Sequence, residues 1–442
     1  MLRRDFMKNA FVSAVALSAA GSVLATTPLF ASRNYPRQTR SSGTTTAKVK
    51  LGIDVLEEEN FARLRGDNVG LVTNQAGVNS RGESTITILH TRGRRAGVRL
   101  AKLFGPEHGI YGDVPAEKIV QNQIDSKTGL PVFSLYGAMR KPAPEMLSGL
   151  TRMVIDLQDV GSRSYTYISC MRYVLEACFE RGIPVLVLDR PNPLGGLKCD
   201  GPMLAPKWQS YVGLYPVPYV HGLTIGELAI AAVRENWLTL SQQGRSRGRV
   251  DVMKMRGWTR NMRWRDTGLR WIPTSPYINS PEAVEGYAMS GLGTMAGGFG
   301  HTGRGKNGEL TYPFRWITFS QKDEKDMTKL IAGFAIRGIT PLPRIVNDKG
   351  GAYIAISNWD ALRPCELSFH MMRAACVLNR GNPFAELAGS QRDLFIKHLG
   401  SENFFNDLVA KGARTDIVAW CNLWQKQAEA FSRRVAAHRL YK

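Results

Sequence analysis

Acidic side chains are scarce in this chain. Its 442 residues carry 37 Asp and Glu against 58 Lys and Arg, a formal net charge of +21. Cysteine is scarce too, with six residues, which excludes a disulfide-dense scaffold. Beyond the N-terminus no apolar run approaches the ~20 residues that a membrane span needs. No internal repeat is present, so a solenoid or propeller is excluded. What the chain does have is 43% hydrophobic content and nine Trp, enough for a large core and incompatible with disorder. The length corresponds to two or three domains.

The positive charge is uneven. Residues 1–50 hold 8 basic and 1 acidic side chain, residues 51–200 hold 18 and 17, and residues 201–442 hold 32 and 19. A nucleic-acid binder, a protein facing an anionic envelope and a plain basic surface all fit such a balance. The N-terminus favours the second. Arg3-Arg4-Asp5-Phe6-Met7-Lys8 precedes the apolar run Ala10–Ala20 and the small-residue site Val23-Leu24-Ala25. This order reads as a twin-arginine secretion signal over residues 1–25. Residues 26–50, rich in Ser, Thr and Arg, read as a flexible basic linker. The expected location is periplasmic or extracellular, with no stable membrane insertion once the signal is removed. No pair of cysteines has zinc-ligand spacing, and buried free thiols are expected.

From Asn68 short apolar segments alternate with helical ones. Asn68–Thr73, Val98–Phe104, Pro131–Leu135, Met153–Leu157 and Pro184–Leu188 read as strands. Helices are expected at Ser84–His90, Tyr165–Arg181 and, from the capping-box spacing Thr224-Ile-Gly-Glu227, through Trp237. Continuous apolar strands alternating with helices predict an α/β fold with a parallel sheet covered on both faces. The polar stretch Gln242–Gly248 marks a boundary, dividing a first domain at 51–244 from a second at 245–442. The second opens on a strand at Val250–Met255 and ends helically from Asp393 to Arg439.

Ligands of open parallel sheets bind outside the carboxyl ends of the strands. Four strand exits here are dense in polar side chains. They are Thr73-Asn74-Gln75, Gly105-Pro-Glu107-His108-Gly109, Gln158-Asp159-Val-Gly-Ser-Arg163 and Asp189-Arg190-Pro-Asn192-Pro193. Glu107 leaves an apolar strand through Gly-Pro and is the candidate general acid. His108 bonds ligand or closes the turn. Asp156 orients loops, and Asp159 and Asp189 stand at strand exits. Arg163 and Arg190 offer guanidinium forks suited to a carboxylate. His221 precedes a helix start on the same rim. Gly291-Leu-Gly293-Thr-Met-Ala296 fits a dinucleotide pattern without a preceding strand, and Gly300–Asn307 misses a phosphate loop by one residue. Both read better as Gly-rich loops beside a cleft. The stretch Arg245–Trp271 interleaves basic residues with Trp258, Trp264 and Trp271. It is suited to stacking on bases or sugars or to covering a core. With an export signal, nucleic acid is not the expected partner.

At these motifs the chain resembles the exo-β-N-acetylmuramidases, cell-wall glycoside hydrolases. The resemblance runs through Gly70–Gly77, Leu103–Gly109, Thr128–Val132, Asp156–Gly161, Tyr165–Ile168, Leu188–Pro193 and His221–Glu227. It implies a Rossmann-like domain, a smaller α/β C-terminal domain and a ligand cleft between them. It also implies release of N-acetylmuramic acid from non-reducing ends of peptidoglycan fragments. Glu107 matches the catalytic glutamate favoured in the family. Its partner carboxylate is sought among Asp159, Asp189, Glu227 and Glu309. Arg163 or Arg190 is expected to pair with the lactyl carboxylate. Asn74, Asn192 and His221 are expected to bond hydroxyls or the acetamido group, with His108, Glu227 and Arg304 of Gly303-Arg304-Gly305 completing the binding set. No metal site and no cofactor are implied. The family usually carries Phe-Glu-Gly-Thr where this chain has Met295-Ala-Gly-Gly298. That departure makes a non-hydrolytic or altered relative that binds wall saccharides the alternative reading.

Overall fold

A computed structural model describes residues 48–112, 122–292, 297–320 and 322–442. The expected signal, the linker up to residue 47 and Met295-Ala296 lie outside the described residues.

The chain builds a seven-stranded sheet. In chain order its strands are β1 (Asn68–Thr73), β2 (Arg99–Gly105), β3 (Gln123–Ile124), β4 (Pro131–Ser134), β5 (Arg152–Asp156), β6 (Val185–Leu188) and, beyond the separate antiparallel pair β7 (Asp200–Met203) and β8 (Pro218–Val220), β9 (Val250–Met253). Across the sheet the order is β3-β4-β2-β1-β5-β6-β9. All neighbours run parallel except the edge strand β3. Counting only the parallel strands in chain order, this is 3-2-1-4-5-6, the doubly wound Rossmann order.

Side-chain alternation accounts for burial on both faces. In β5, Met153 and Ile155 join one core while Val154 joins the other. In β6, Val185 and Val187 face one side and Leu186 and Leu188 the opposite one. Helices α1 (Gly52–Glu58) and α2 (Thr85–Ile88) cover one face; α3 (Thr166–Glu180) and α4 (Ile225–Arg234) cover the other. A purely apolar run such as Val185–Leu188 is what such a doubly covered strand requires. A Cβ at Gly70 in β1 would lie 2.7 Å from Leu150 Cδ1 and 3.0 Å from Phe104 Cε2, so these packed side chains would have to shift to admit it.

The expected division at 244/245 is corrected. Gln242–Arg247 is a short helix, and β9 beyond it pairs in parallel with β6 as the last strand of the central sheet. The rest of the chain adds the short antiparallel pair β10 (Gly303–Arg304) and β11 (Leu310–Thr311) and builds a second core around the antiparallel strands β12 (Trp316–Ile317), β13 (Ile339–Val346) and β14 (Lys349–Ile356). These pack with helices α5 (Pro281–Ser290), α6 (Glu324–Ala332) and α7 (Glu366–Leu378). The closing helix α8 (Ile417–Arg434) then returns to the first core, where Phe431 is buried beside Trp237. Among the described residues no helix is long and apolar enough to cross a membrane.

One guanidinium joins the two parts. Arg163 is 0% exposed and donates to the carbonyls of Pro202, Val217, His398 and Leu399 at 2.7–3.1 Å. Burial pushes its pKa down to about 10. Replacing Arg163 by Met should strand these acceptors, at ~1–3 kcal/mol for each buried one left without a donor. The expected result is a loss of several kcal/mol in urea unfolding, and a loss below about 1 kcal/mol would contradict this role.

Candidate active site

The doubly wound order makes the chain wind outward from β1 in both directions, which opens a crevice at the carboxyl ends of the central strands. Three polar exits meet there because β2, β1 and β5 are consecutive neighbours. Asn74 follows β1, Glu107 follows β2, and Gln158 and Asp159 follow β5.

The turn after β2 is tightly built. Gly109 N–H donates to the Pro106 carbonyl at 3.0 Å, and His108 and Gly109 both take left-handed backbone, with φ of 72° and 76°. His108 is buried. Glu107 is left partly exposed, and its Oε2 accepts from Thr166 Oγ1 at 2.8 Å. Thr166 is the first residue of α3, so the Glu107 carboxyl meets the positive end of a fifteen-residue helix. The Tyr167 hydroxyl donates to the Thr274 carbonyl at 2.6 Å and lies 3.4 Å from the Glu107 carbonyl.

Aromatic rings wall the crevice. Tyr165 meets Tyr167 edge-on at 4.7 Å and Tyr287 at 6.2 Å; Tyr287 meets Phe314 at 5.1 Å, and His301 stacks on Phe314 at 4.6 Å. Hydroxyls hold these rings. Tyr165 donates to Thr274 Oγ1 at 2.8 Å, while Tyr287 and Ser164 share a hydrogen bond of 2.8 Å. Burial pushes the Tyr287 phenol pKa up, and the negative charges of Glu107 and Asp159 add to that shift. Both carboxylates therefore act on one hydroxyl. Burial also pushes His301 down to about 4.

Asp159 is 6% exposed. Its Oδ2 accepts from Gly161 N–H at 2.8 Å and lies 3.3 Å from His221 Nε2. The Leu223 N–H donates to His221 Nδ1 at 3.2 Å, and His221 Nε2 is buried without a hydrogen-bond partner among the described residues. Asp159 Oδ1 and both ends of the Asn74 amide are buried without a full hydrogen bond, and Asn74 lies beside the Tyr167 hydroxyl. Unfilled buried polar atoms of this kind are acceptors and donors available to a ligand or a water.

The other expected residues are held elsewhere. Arg163 is the buried clamp already described. Arg190 is buried against Asp156, with Nη2–Oδ2 at 2.9 Å, and also donates to the Val78 carbonyl at 2.7 Å. The cavity beside Arg190 measures about 20 Å³, room for a water and not for a sugar. Asp189 accepts from Thr224 Oγ1, the Gly226 N–H and the Tyr441 hydroxyl at 2.6–2.8 Å, tying α4 and the C-terminus to the end of β6. Glu227 completes the capping box of α4 and pairs with buried Arg260 at 2.6 Å. Asn192 bonds Leu223 and Leu194 backbone. Glu309 accepts from Asn307 N–H within its own hairpin. Arg304 is exposed, and its Nη2 bonds the Tyr277 hydroxyl at 2.6 Å beside the aromatic wall. Trp258 and Trp264 are buried, so that stretch covers core. A wider cleft of about 750 Å³ around Lys198, Arg263 and Trp359 contains none of the expected site residues.

Thr166, Tyr165, Tyr167, Thr274 and Tyr287 were not among the expected site residues. The run Ser164-Tyr-Thr-Tyr167 was the available signal, since hydroxyl-bearing residues opening a buried helix at a strand exit have a partner to find. Tyr287 and Thr274 come from far along the chain and carry no such local mark.

Residues 69–282 match the family model described as exo-beta-N-acetylmuramidase NamZ, N-terminal. A Bacillus subtilis (strain 168) protein named peptidoglycan beta-N-acetylmuramidase NamZ is 41% identical over 293 residues, spanning 66% of this chain and 67% of that one. Two crystal structures of DUF1343 family proteins from Bacteroides fragilis NCTC 9343 are similar. One has 35% identity and a TM-score of 0.77, covering 90% of this chain and all of the other. The second has 26% identity and a TM-score of 0.65, covering 89% and 99%.

Burial raises the Asp189 pKa from 3.8 to about 6. The folded state then binds the proton more tightly than the unfolded chain, so this group's contribution to stability is greatest at low pH and falls as pH rises through that window. The stability of the protein relative to its Asp189→Asn variant should therefore be greater near about pH 4 than near about pH 7. Equal differences in urea midpoint at the two pH values would contradict the burial-driven shift.

Proposed function

The chain belongs to the family of exo-β-N-acetylmuramidases, and we propose that it is an exported glycosidase that releases N-acetylmuramic acid from the non-reducing ends of peptidoglycan fragments. The observation that carries the reading is the Glu107 carboxyl, set at the switch-point crevice of a chain 41% identical to a peptidoglycan β-N-acetylmuramidase. Glycoside hydrolysis needs an acid for the departing oxygen and a second carboxyl for the sugar's other face. Glu107 supplies the first. It gives its proton to the glycosidic oxygen as the bond to the anomeric carbon breaks, with Thr166 fixing which carboxyl oxygen faces the sugar. Asp159 supplies the second. Its free Oδ1 takes a proton from the attacking water while the Gly161 N–H holds Oδ2. The exits of β2 and β5 lie two strand spacings apart, roughly 10 Å, which leaves room for a sugar and a water between them. Asn74 and the tyrosine wall bond and flank the ring.

Export follows from the paired arginines of the leader, and the enzyme works in the periplasm or outside the cell. Residues 26–50 tether it. The basic excess of residues 201–442 holds it near an anionic wall by an attraction that salt weakens.

Glu107→Gln should keep its melting temperature and lose about 10³-fold in turnover of a chromogenic N-acetylmuramide, the scale of lost general acid catalysis. Near-normal turnover in that variant would refute the assignment. Export is checked separately. Replacing Arg3 and Arg4 by Lys should leave the precursor in the cytoplasm, whereas undiminished release in cell fractionation would remove the twin-arginine reading.

A further inference from the structure

We propose that Arg140 binds the lactyl carboxylate of the terminal sugar and so selects muramides over otherwise identical N-acetylglucosaminides. This rests on the muramidase reading above. A muramic acid unit differs from N-acetylglucosamine by one ether-linked carboxylate, so a selective site needs a cation that no protein carboxylate already neutralises.

The two arginines whose position in sequence suited that role are unavailable. Arg163 is committed to four carbonyls and Arg190 to Asp156. Arg140 is placed otherwise. Strand β4 lies beside β2, and its continuation keeps the pairing, since Leu135 N–H donates to the Gly105 carbonyl at 2.8 Å. Gly105 is two residues before Glu107. The chain then runs from Leu135 to Arg140, whose guanidinium stacks over the Tyr211 ring at 4.5 Å. The Tyr211 hydroxyl in turn donates to the Leu135 carbonyl at 3.3 Å. Arg140 is thereby tied back to the exit of β2. The opposite charges of Glu107 and Arg140 both act on the Tyr211 phenol, whose pKa is raised first of all by burial.

The guanidinium is also uncommitted. Among the described residues it forms no ion pair, and its Nε is buried without a hydrogen-bond partner. The neighbouring cation Lys141 is held by Glu176 at 3.2 Å. With its Cζ over the ring and no carboxylate among the described residues paired to it, the guanidinium keeps a fork that can grip a carboxylate through two hydrogen bonds. Tyr211 itself stacks on Tyr173 at 6.1 Å, so the platform is fixed before a ligand arrives.

The test compares chromogenic N-acetylmuramide, its lactyl methyl ester and the matching N-acetylglucosaminide on the full-length protein and on Arg140→Gln, Arg140→Lys and Arg304→Gln. Arg140→Gln should lose about 10- to 100-fold in kcat/KM on the muramide and little on the other two substrates, as expected for one charge-assisted contact. The ester should cost the unaltered protein a similar factor and cost Arg140→Gln almost nothing, the signature of a direct pair. Arg140→Lys should recover part of the preference. A preference for the muramide that survives Arg140→Gln, or that disappears in Arg304→Gln instead, would overturn the assignment. If the unaltered protein cleaves neither sugar, the muramidase reading fails separately. Calorimetry with free N-acetylmuramic acid and N-acetylglucosamine then decides about Arg140. Selective binding of the first, lost in Arg140→Gln at unchanged melting temperature, supports the pair; binding unaffected by the substitution, or none, overturns it.

Discussion

Strand β1 pairs in parallel with β2 on one side and β5 on the other, and the site depends on that double pairing. Parallel neighbours send their carboxyl ends to the same edge. Two crossovers of opposite direction then leave a gap at that edge which no connection fills. Glu107, Asn74 and Asp159 are far apart in the chain, yet they stand on three adjacent strands. A one-residue slip of register would send the side chains of each core into the opposite one, so the packing on both faces holds the edge in place.

Buried charge does two different jobs in this molecule. Arg163, Arg190, Arg260, Asp189 and Glu227 are nearly inaccessible, and their polar atoms are largely met by carbonyls, hydroxyls or opposite charges. Such groups are costly to bury and costlier to leave unpaired, so Arg163 fastens the region after β5 to His398 and Leu399, while Asp189 and Glu227 fasten the end of β6 and α4 to Tyr441 and Leu440. The site shows the opposite pattern. Asp159 Oδ1, the Asn74 amide and Arg140 Nε are buried with bonding capacity left over. The C-terminus takes part in the first job only: Tyr441 closes on Asp189, and the Leu440 N–H donates to Glu227.

Much of the fold was legible locally. Asn68–Thr73 is the strand expected from its apolar run, and the Thr224–Glu227 spacing is a true capping box, because these signals depend on residues within a turn or a strand. The boundary at 244/245 was misplaced for the opposite reason. Whether Val250–Met253 opens a new unit or completes an old sheet depends on its neighbour β6, sixty-odd residues back, and polar composition at Gln242–Gly248 marks exposure rather than separation. The arginines misled similarly. Arg163 and Arg190 sit at strand exits as a ligand-binding fork would, but a guanidinium's use depends on which acceptors the fold brings to it.

The sequence by itself determined the parallel α/β class, the covered sheet faces and the positions of Glu107, Asn74 and Asp159 at strand ends, since periodicity and turn chemistry are written in consecutive residues. It also supplied the motifs that place the chain among the exo-β-N-acetylmuramidases. Only the tertiary structure decided which polar groups stay free. Hydrogen-bond satisfaction is settled between segments: His398 and Leu399 use Arg163, Tyr441 uses Asp189, and Arg140, stacked on Tyr211, is left with its fork open.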